Sequence, residues 1–218
     1  MDAHGRVRFD TIARYLQDAA IEDVEETGWG LPEHLLFIRC IRIDVRAPLI
    51  LERRVHLLTW CSGLGTIAAG RRWSLEGDLG GKLEVDSVWI HLDQDERPAR
   101  LEGFDVYAEA TNGRKVTTKL ELPAPPLDGP RLPWPLRQTD VDLHGHVNNA
   151  AYWQAVEERL AAGGLDPSRP IRALLDYRHP IDVGDDVALV EVASAERLEL
   201  GFVVGSAVSA VARVSQIR

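Results

Sequence analysis

Apolar residues recur at helical spacing in two segments of the chain. In the first segment these positions are Ile12, Tyr15, Leu16, Ala19, Ala20 and Val24. In the second they are Ala151, Tyr152, Ala155, Val156, Leu160 and Ala161. Residues three and four apart lie on one face of a helix, so each segment predicts an amphipathic helix. Gly28 and Gly163 mark the predicted ends, because glycine commonly terminates helices.

Strand patterns follow each predicted helix. In the first half they cover residues 35–46, 55–60, 66–75 and 83–92. In the second half they cover residues 171–177, 187–192, 198–204 and 207–214. Glycine-rich turns separate several of these segments, as in antiparallel meanders, and residues 104–110 form a candidate short helix. A sheet must cover its apolar face. The predicted fold class is therefore α+β: two tandem units, each an antiparallel sheet wrapped round a central helix, joined into one continuous sheet.

The two halves also share sequence. Residues 43–57 align without gaps to residues 175–189. The identical pairs are Asp44 and Asp176, Arg46 and Arg178, Pro48 and Pro180, Val55 and Val187, and Leu57 and Leu189. Because conservative replacements surround these matches, we favour an internal duplication over chance.

Proline marks the boundary between the halves. Residues 123–135 hold six of the 12 prolines in the chain. Proline lacks a backbone N–H and has a fixed φ, so this segment predicts a stiff, extended connector. The predicted division is an N-terminal unit over 1–122 with a binding or supporting role, the connector over 123–135, and a C-terminal unit over 136–218.

Composition excludes several classes of protein. The net charge of -9 disfavours a nucleic-acid binder, which needs a positive field. There is no signal-peptide pattern and no apolar run of the roughly 20 residues that a membrane span needs, so we expect a cytoplasmic protein without membrane insertion. Cys40 and Cys61 have no zinc spacing, and we expect neither a metal site nor a cofactor.

Acidic, histidine and amide side chains crowd the segment before the second helix. Within residues 139–149 they are Asp140, Asp142, His144, His146, Asn148 and Asn149. Residues 136–142 have a strand pattern, which would place both aspartates on one face. Gly145 permits a tight turn. Asn148 and Asn149 are equally explained as helix caps.

This segment has the parts needed for acyl transfer. Backbone amides near Gly145 and Val147, at the positive end of a helix, would stabilise an oxyanion. The Asp142 carboxylate would act as general base for water or as nucleophile. Residues 5–11, before the first helix, lack this arrangement of acid and histidines. We therefore expect one active site per chain.

The motif Asp142-x-x-Gly145-His146-Val147-Asn148-Asn149-x-x-Tyr152, followed by Glu157, resembles the signature of hotdog-fold thioesterases. The duplicated layout, with Thr59-Trp60-Cys61 and Arg72-x-Trp-Ser, resembles the acyl-ACP thioesterases. These double-hotdog enzymes release fatty acids from acyl carrier protein (ACP).

The resemblance implies roles for individual residues. Asp142 would be the catalytic carboxylate and His146 the family histidine. His146, with His144 or Asn148, would orient water or hold Asp142. Asn149 and Glu157 would be secondary site residues, although Glu157 and Glu158 are also explained as a solvated pair. The chain departs from plant members in two places. They carry Asn where this chain has His144, and a Glu-Cys pair where it has Pro180-Ile181, so no cysteine nucleophile is available at that position.

The implied function is hydrolysis of fatty acyl-ACP or acyl-CoA, so the expected partner is an acyl carrier protein or a coenzyme A thioester. Two alternatives stay open: a hotdog hydratase or dehydratase, and a non-catalytic acyl-binding protein. Two hotdog units in one chain already supply the pairing that single-unit proteins obtain by dimerising. Both a monomer and a homodimer are therefore consistent with the sequence.

Overall fold

The computed structural model describes residues 1–28, 35–93, 95, 97–119 and 122–217. The helices are α1 (Phe9–Glu26), α2 (Ala108–Thr111) and α3 (Asn149–Ala162), and 3-10 turns cover Phe104–Tyr107 and Gln138–Asp140. The strands are β1 (Leu35–Ala47), β2 (Val55–Leu64), β3 (Ala68–Gly77), β4 (Lys82–Leu92), β5 (Arg131–Pro133), β6 (Ile171–Tyr177), β7 (Val187–Ser194), β8 (Arg197–Val204) and β9 (Ala207–Gln216). Both predicted long helices, the short helix and the eight strands predicted to follow the long helices are present, with shifted ends.

The strands form one antiparallel sheet in the order β2-β3-β4-β1-β6-β9-β8-β7-β5. The first four belong to the first half of the chain, the next four to the second half, and β5 to the connector. The β1–β6 pairing joins the two halves, which confirms the predicted continuous sheet. In this pairing Arg42 lies opposite Leu174, and these two residues immediately precede the aligned segments 43–57 and 175–189. The halves are therefore related by a local twofold axis through this pair, as a duplication requires.

The long helices α1 and α3 pack against each other and against one face of the sheet. The Phe9 and Trp153 rings lie 5.3 Å apart at their centroids, and both side chains are buried. Trp73 and Leu75 on β3 join the same core from the sheet side. Burying each large apolar side chain stabilises the fold by about 1.5–3 kcal/mol. No helix in the described ranges is both long and apolar enough to cross a membrane.

The proline-rich connector does more than link the halves. Within it, β5 pairs with β7 at the edge of the sheet. Pro133 is tolerated there because an edge strand has one side without ladder hydrogen bonds.

The predicted strand over residues 136–142 is wrong. The Asp140 carboxylate accepts hydrogen bonds from the backbone and side chain of Arg137, and the chain folds into the Gln138–Asp140 turn. Asp140 is only 1% exposed. Burial alone would raise the pKa of Asp140, but the Arg137 contacts outweigh it and lower that pKa. Asp140 is thus a structural residue, bound to Arg137 through both carboxylate oxygens.

Asp44 and Arg172 tie the halves together across the β1–β6 junction. Arg172 donates from Nε to Asp44 Oδ1 at 2.6 Å and from Nη2 to Oδ2 at 2.8 Å. Burial alone would raise the pKa of Asp44, but the hydrogen bonds and charge of Arg172 lower it below the ordinary 3.8. Since the folded-state pKa is the lower one, this pair stabilises the fold above pH 3.8. The contribution is lost as pH falls through the folded-state value.

We predict that Asp44→Asn lowers the free energy of unfolding by about 1–3 kcal/mol near pH 7, because it removes the buried carboxylate charge that accepts both hydrogen bonds from Arg172. Near pH 3 the difference from wild type should shrink, because protonation of Asp44 in the unfolded state then offsets part of the stabilisation by the ion pair. Urea unfolding at the two pH values measures this. Glu76→Gln, which removes an exposed pair with Lys82, is the control and should change nothing measurable. Equal stability of Asp44→Asn and wild type near pH 7 would contradict the prediction.

Candidate active site

A tight turn over residues 141–147 leads into α3. Val141 and Val147 form an antiparallel bridge at its base. The Asp142 N–H donates to the His146 carbonyl at 2.8 Å, and the Gly145 N–H donates to the Asp142 carbonyl at 3.2 Å. Gly145 has φ +84°, a conformation that costs glycine little and other residues more. The turn thus needs glycine at this position, as the sequence predicted.

The Asp142 carboxylate is held by the turn through one of its two oxygens. Oδ1 accepts from the backbone N–H groups of His144 at 2.9 Å and His146 at 3.2 Å. Oδ2 accepts no hydrogen bond from any residue that the structure describes. The carboxylate therefore has a fixed orientation and one oxygen available for a substrate or a water molecule.

Asp142 borders two cavities. The first, which we call the α1 cavity, has a volume of about 830 Å³ and lies between α1 and the first-half sheet. Its apolar wall includes Leu36, Ala69, Trp89 and Phe104. The second, the strand-end cavity, measures about 490 Å³ and lies beside the ends of β1 and β6. Its lining residues include Phe37, Ile38, Ile90, Arg39 and Arg178. An elongated ligand bound beside Asp142 could therefore extend into both spaces.

The two predicted histidines lie in the same turn but in different surroundings. The His146 Nε2 is 3.4 Å from Asp182 Oδ1, and the ring is about one-fifth exposed. His144 is exposed, and its ring centroid lies 6.3 Å from that of Phe37. The turn therefore brings Asp142, His144 and His146 together at one end of α3.

Asn148 is the N-cap of α3, since its Oδ1 accepts from the Ala150 N–H at 2.8 Å. Asn149 is the first helical residue, and its carbonyl accepts from the Tyr177 hydroxyl at 3.0 Å. Burial raises the pKa of Tyr177, so this hydroxyl stays a neutral donor. The capping explanation thus accounts for the side chain of Asn148.

The two backbone amides that the sequence suggested as oxyanion donors are already hydrogen-bonded within the protein. The Gly145 N–H donates to the Asp142 carbonyl, and the Val147 N–H donates to the Ile181 carbonyl at 2.8 Å. Neither amide is open to a substrate. The Asn149 N–H, by contrast, has no acceptor among the described residues and lies at the positive end of α3. Of these three backbone N–H groups, that of Asn149 is the one left without a protein acceptor within the described ranges.

Tyr152 lies behind the turn and completes its apolar support. Its ring contacts those of Tyr177 and Phe202 edge-on, at centroid distances of 5.2 and 5.1 Å. Burial raises the pKa of Tyr152 strongly, and the nearby Asp142 charge adds to the shift. The hydroxyl is therefore neutral at physiological pH.

Glu157 lies apart from these residues. Its carboxylate accepts from the Phe9 N–H at 2.6 Å and from Arg6 Nη2 at 2.5 Å. It borders a third cleft, which also contains Asp2 and His4. The structure therefore does not bring Glu157 to Asp142, and it is not a member of the solvated pair that the sequence also allowed.

The first half contains a copy of the turn that the sequence comparison missed. Its motif is Asp2-x-His4-Gly5-x-Val7, against Asp142-x-His144-Gly145-x-Val147. Asp2 Oδ1 accepts from the N–H groups of His4 at 2.9 Å and Arg6 at 3.0 Å. The expectation that residues 5–11 are the counterpart is wrong. The signal that could have found the copy is the shared Asp-x-His-Gly spacing.

Both halves of the chain match models of one protein family. Residues 1–108 match the acyl-ACP thioesterase N-terminal domain, and residues 128–211 match the C-terminal domain. An uncharacterized Mycobacterium tuberculosis protein is 31% identical over all of this chain and 88% of its own length. The Arabidopsis thaliana oleoyl-acyl carrier protein thioesterase 1 is 24% identical, over 92% of this chain and 62% of its own length.

Solved structures agree on the fold. The acyl-ACP thioesterase from Bacteroides thetaiotaomicron superposes with a TM-score of 0.81 at 16% identity, covering 99% of this chain and 92% of that one. The 12:0-ACP thioesterase from Umbellularia californica gives a TM-score of 0.79 at 13% identity, covering 100% and 92%. With both halves matched in order and the fold shared along the chain, the protein belongs to the acyl-ACP thioesterase family and is a thioester hydrolase with a double-hotdog fold.

Proposed function

We propose that the protein hydrolyses fatty acyl thioesters of acyl carrier protein or coenzyme A, with Asp142 as the reacting carboxylate. The observation that carries this proposal is the position of Asp142. Asp142 borders the α1 cavity, whose wall is largely apolar but also includes Arg14 and Arg71, and the strand-end cavity, which contains Arg39 and Arg178. An acyl thioester has this division, with an apolar chain on one side of the reacting carbonyl and a phosphate-bearing arm on the other.

The acyl chain occupies the α1 cavity in this proposal. Its apolar wall removes hydrocarbon from water, and its volume of about 830 Å³ lies in the range of small-molecule sites. Because α1 and β1–β4 form this wall, the first half supplies the acyl site and the second half supplies Asp142.

The arm of the carrier occupies the strand-end cavity. There Arg39 donates to the Tyr177 carbonyl and Arg178 to the Leu122 carbonyl, each at 2.7 Å. Neither guanidinium has a carboxylate partner among the described residues. The Nε of Arg178 is buried without an acceptor. Both carriers have a phosphate on the arm, and arginine forms strong charge-assisted hydrogen bonds with phosphate.

Hydrolysis then proceeds at the thioester carbonyl carbon. The Asp142 Oδ2 either removes a proton from an attacking water or attacks the carbon itself to form an anhydride that water opens. His146 orients that water, and the Asn149 N–H binds the carbonyl oxygen. The leaving thiol has a pKa of roughly 8.5, by analogy with cysteine, and departs as a thiolate without a strong general acid.

We predict that Asp142→Asn lowers kcat by at least about 100-fold, because the amide can neither accept a proton nor attack the carbonyl. Thiol release from acyl-CoA and acyl-ACP of increasing chain length measures this, with mass spectrometry of the acyl product. Asp2→Asn is the matched control, since it makes the same change in the copied turn, and it should keep wild-type kcat. Unchanged turnover in Asp142→Asn would refute the assignment. A hydrated product instead of a free acid would favour the hydratase alternative.

We predict that Arg178→Ala raises KM for acyl-CoA and acyl-ACP about tenfold and leaves kcat nearly unchanged, because it removes a contact made equally in the ground and transition states. The KM for a thioester of N-acetylcysteamine, which lacks phosphate, should not change. An equal rise in KM for all three substrates would show that Arg178 does not bind the phosphate.

A further inference from the structure

The two Asp-x-His-Gly turns and their helices correspond residue by residue. The Val7 N–H donates to the Leu49 carbonyl at 2.9 Å, as the Val147 N–H does to that of Ile181 at 2.8 Å. Gly5 has φ +76°, close to the +84° of Gly145. In this correspondence each residue of the first turn has its counterpart 140 positions later. It pairs Phe9 with Asn149, the first residues of α1 and α3.

The same correspondence pairs Arg6 with His146 and Gln17 with Glu157. Each side chain of the second pair lies on its helix, facing the turn of the other half. Glu157 borders the cleft that contains Asp2, and Gln17 borders the α1 cavity beside Asp142. By the local symmetry, we therefore expect Gln17 to lie towards the Asn149 N–H, as Glu157 lies towards the Phe9 N–H.

In the first-half copy, the place of a substrate oxygen is already occupied. The Glu157 Oε1 accepts from the Phe9 N–H at 2.6 Å, and Arg6 binds both carboxylate oxygens at 2.5 and 3.1 Å. Arg6 is only 7% exposed. A side-chain carboxylate thus sits on the first amide of α1, which closes this copy from within.

In the second-half copy, the amides that correspond to the Phe9 N–H and to the Glu157 carboxylate are open. The Asn149 N–H has no acceptor, and the Gln17 amide makes no side-chain hydrogen bond within the described part of the chain. Gln17 is partly buried. A glutamate at position 17 could only accept hydrogen bonds, and it would accept the Asn149 N–H. The glutamine present there can also donate a hydrogen bond.

We infer that Gln17 is the second oxyanion donor, which binds the thioester carbonyl oxygen through Nε2 alongside the Asn149 N–H. This inference rests on the proposed function and adds a catalytic residue to it. When the nucleophile adds to the carbonyl carbon, the π electrons move onto the oxygen and both donors stabilise that charge. When the C–S bond breaks, the electrons return to the carbonyl and the sulfur leaves as thiolate. No proton leaves Gln17.

The test compares Gln17→Ala, Gln17→Glu and wild type in steady-state hydrolysis of acyl-CoA. Losing one oxyanion donor should lower kcat about 100- to 1000-fold with KM changed less than about threefold. Gln17→Glu should lose at least as much, because its carboxylate would accept the Asn149 N–H as Glu157 accepts that of Phe9. Gln154→Ala, a glutamine on α3 that lines neither cavity beside Asp142, is the control and should keep wild-type kcat.

Thermal unfolding of each variant separates catalysis from folding, and Gln17→Glu keeps the size of the side chain if Gln17→Ala is unstable. A kcat for the folded Gln17 variants within about threefold of wild type, with Asp142→Asn inactive, would overturn the inference and leave the proposed function standing. If wild type itself released no thiol from acyl-CoA or acyl-ACP, the proposed function and the inference about Gln17 would both be refuted.

Discussion

The antiparallel pairing of β1 with β6 is the constraint on which the rest of the structure depends. It joins two four-stranded units about a local twofold axis and places α1 beside α3. As a result, the turn that precedes each helix faces the helix of the other half. The candidate site is therefore shared: Asp142 comes from the second half and the apolar wall beside it from the first.

The two turns have the same backbone arrangement, but the charged side chains beside them differ. Both turns hold an aspartate through two backbone N–H groups in the same geometry. In the first copy, a buried ion pair between Arg6 and Glu157 satisfies the helix amide. Removing one partner of such a pair is costly, which keeps that copy closed. In the second copy, His146 and Gln17 form no such pair, and the helix amide stays available.

Periodicity and turn chemistry predicted most of the fold. The helix and strand patterns are local, so the long helices and the strands of both halves were readable. Residues 136–142 were misread because hydrogen bonds from Arg137 to Asp140 override a strand pattern. The Asp2 copy was missed because the first half has eight more residues between turn and strand. When the two halves are aligned by their strands, Asp142 falls opposite Asp10 and not opposite Asp2.

The sequence by itself determined the element types and the grouping of Asp142, His144 and His146, because hydrogen bonds between residues two to four positions apart build that turn. Only the tertiary structure decided which amides are occupied and which side chains face Asp142. The bond from the Phe9 N–H to Glu157 spans 148 positions in the chain. Such contacts depend on how the two halves pair, and neither half contains that information in its own pattern.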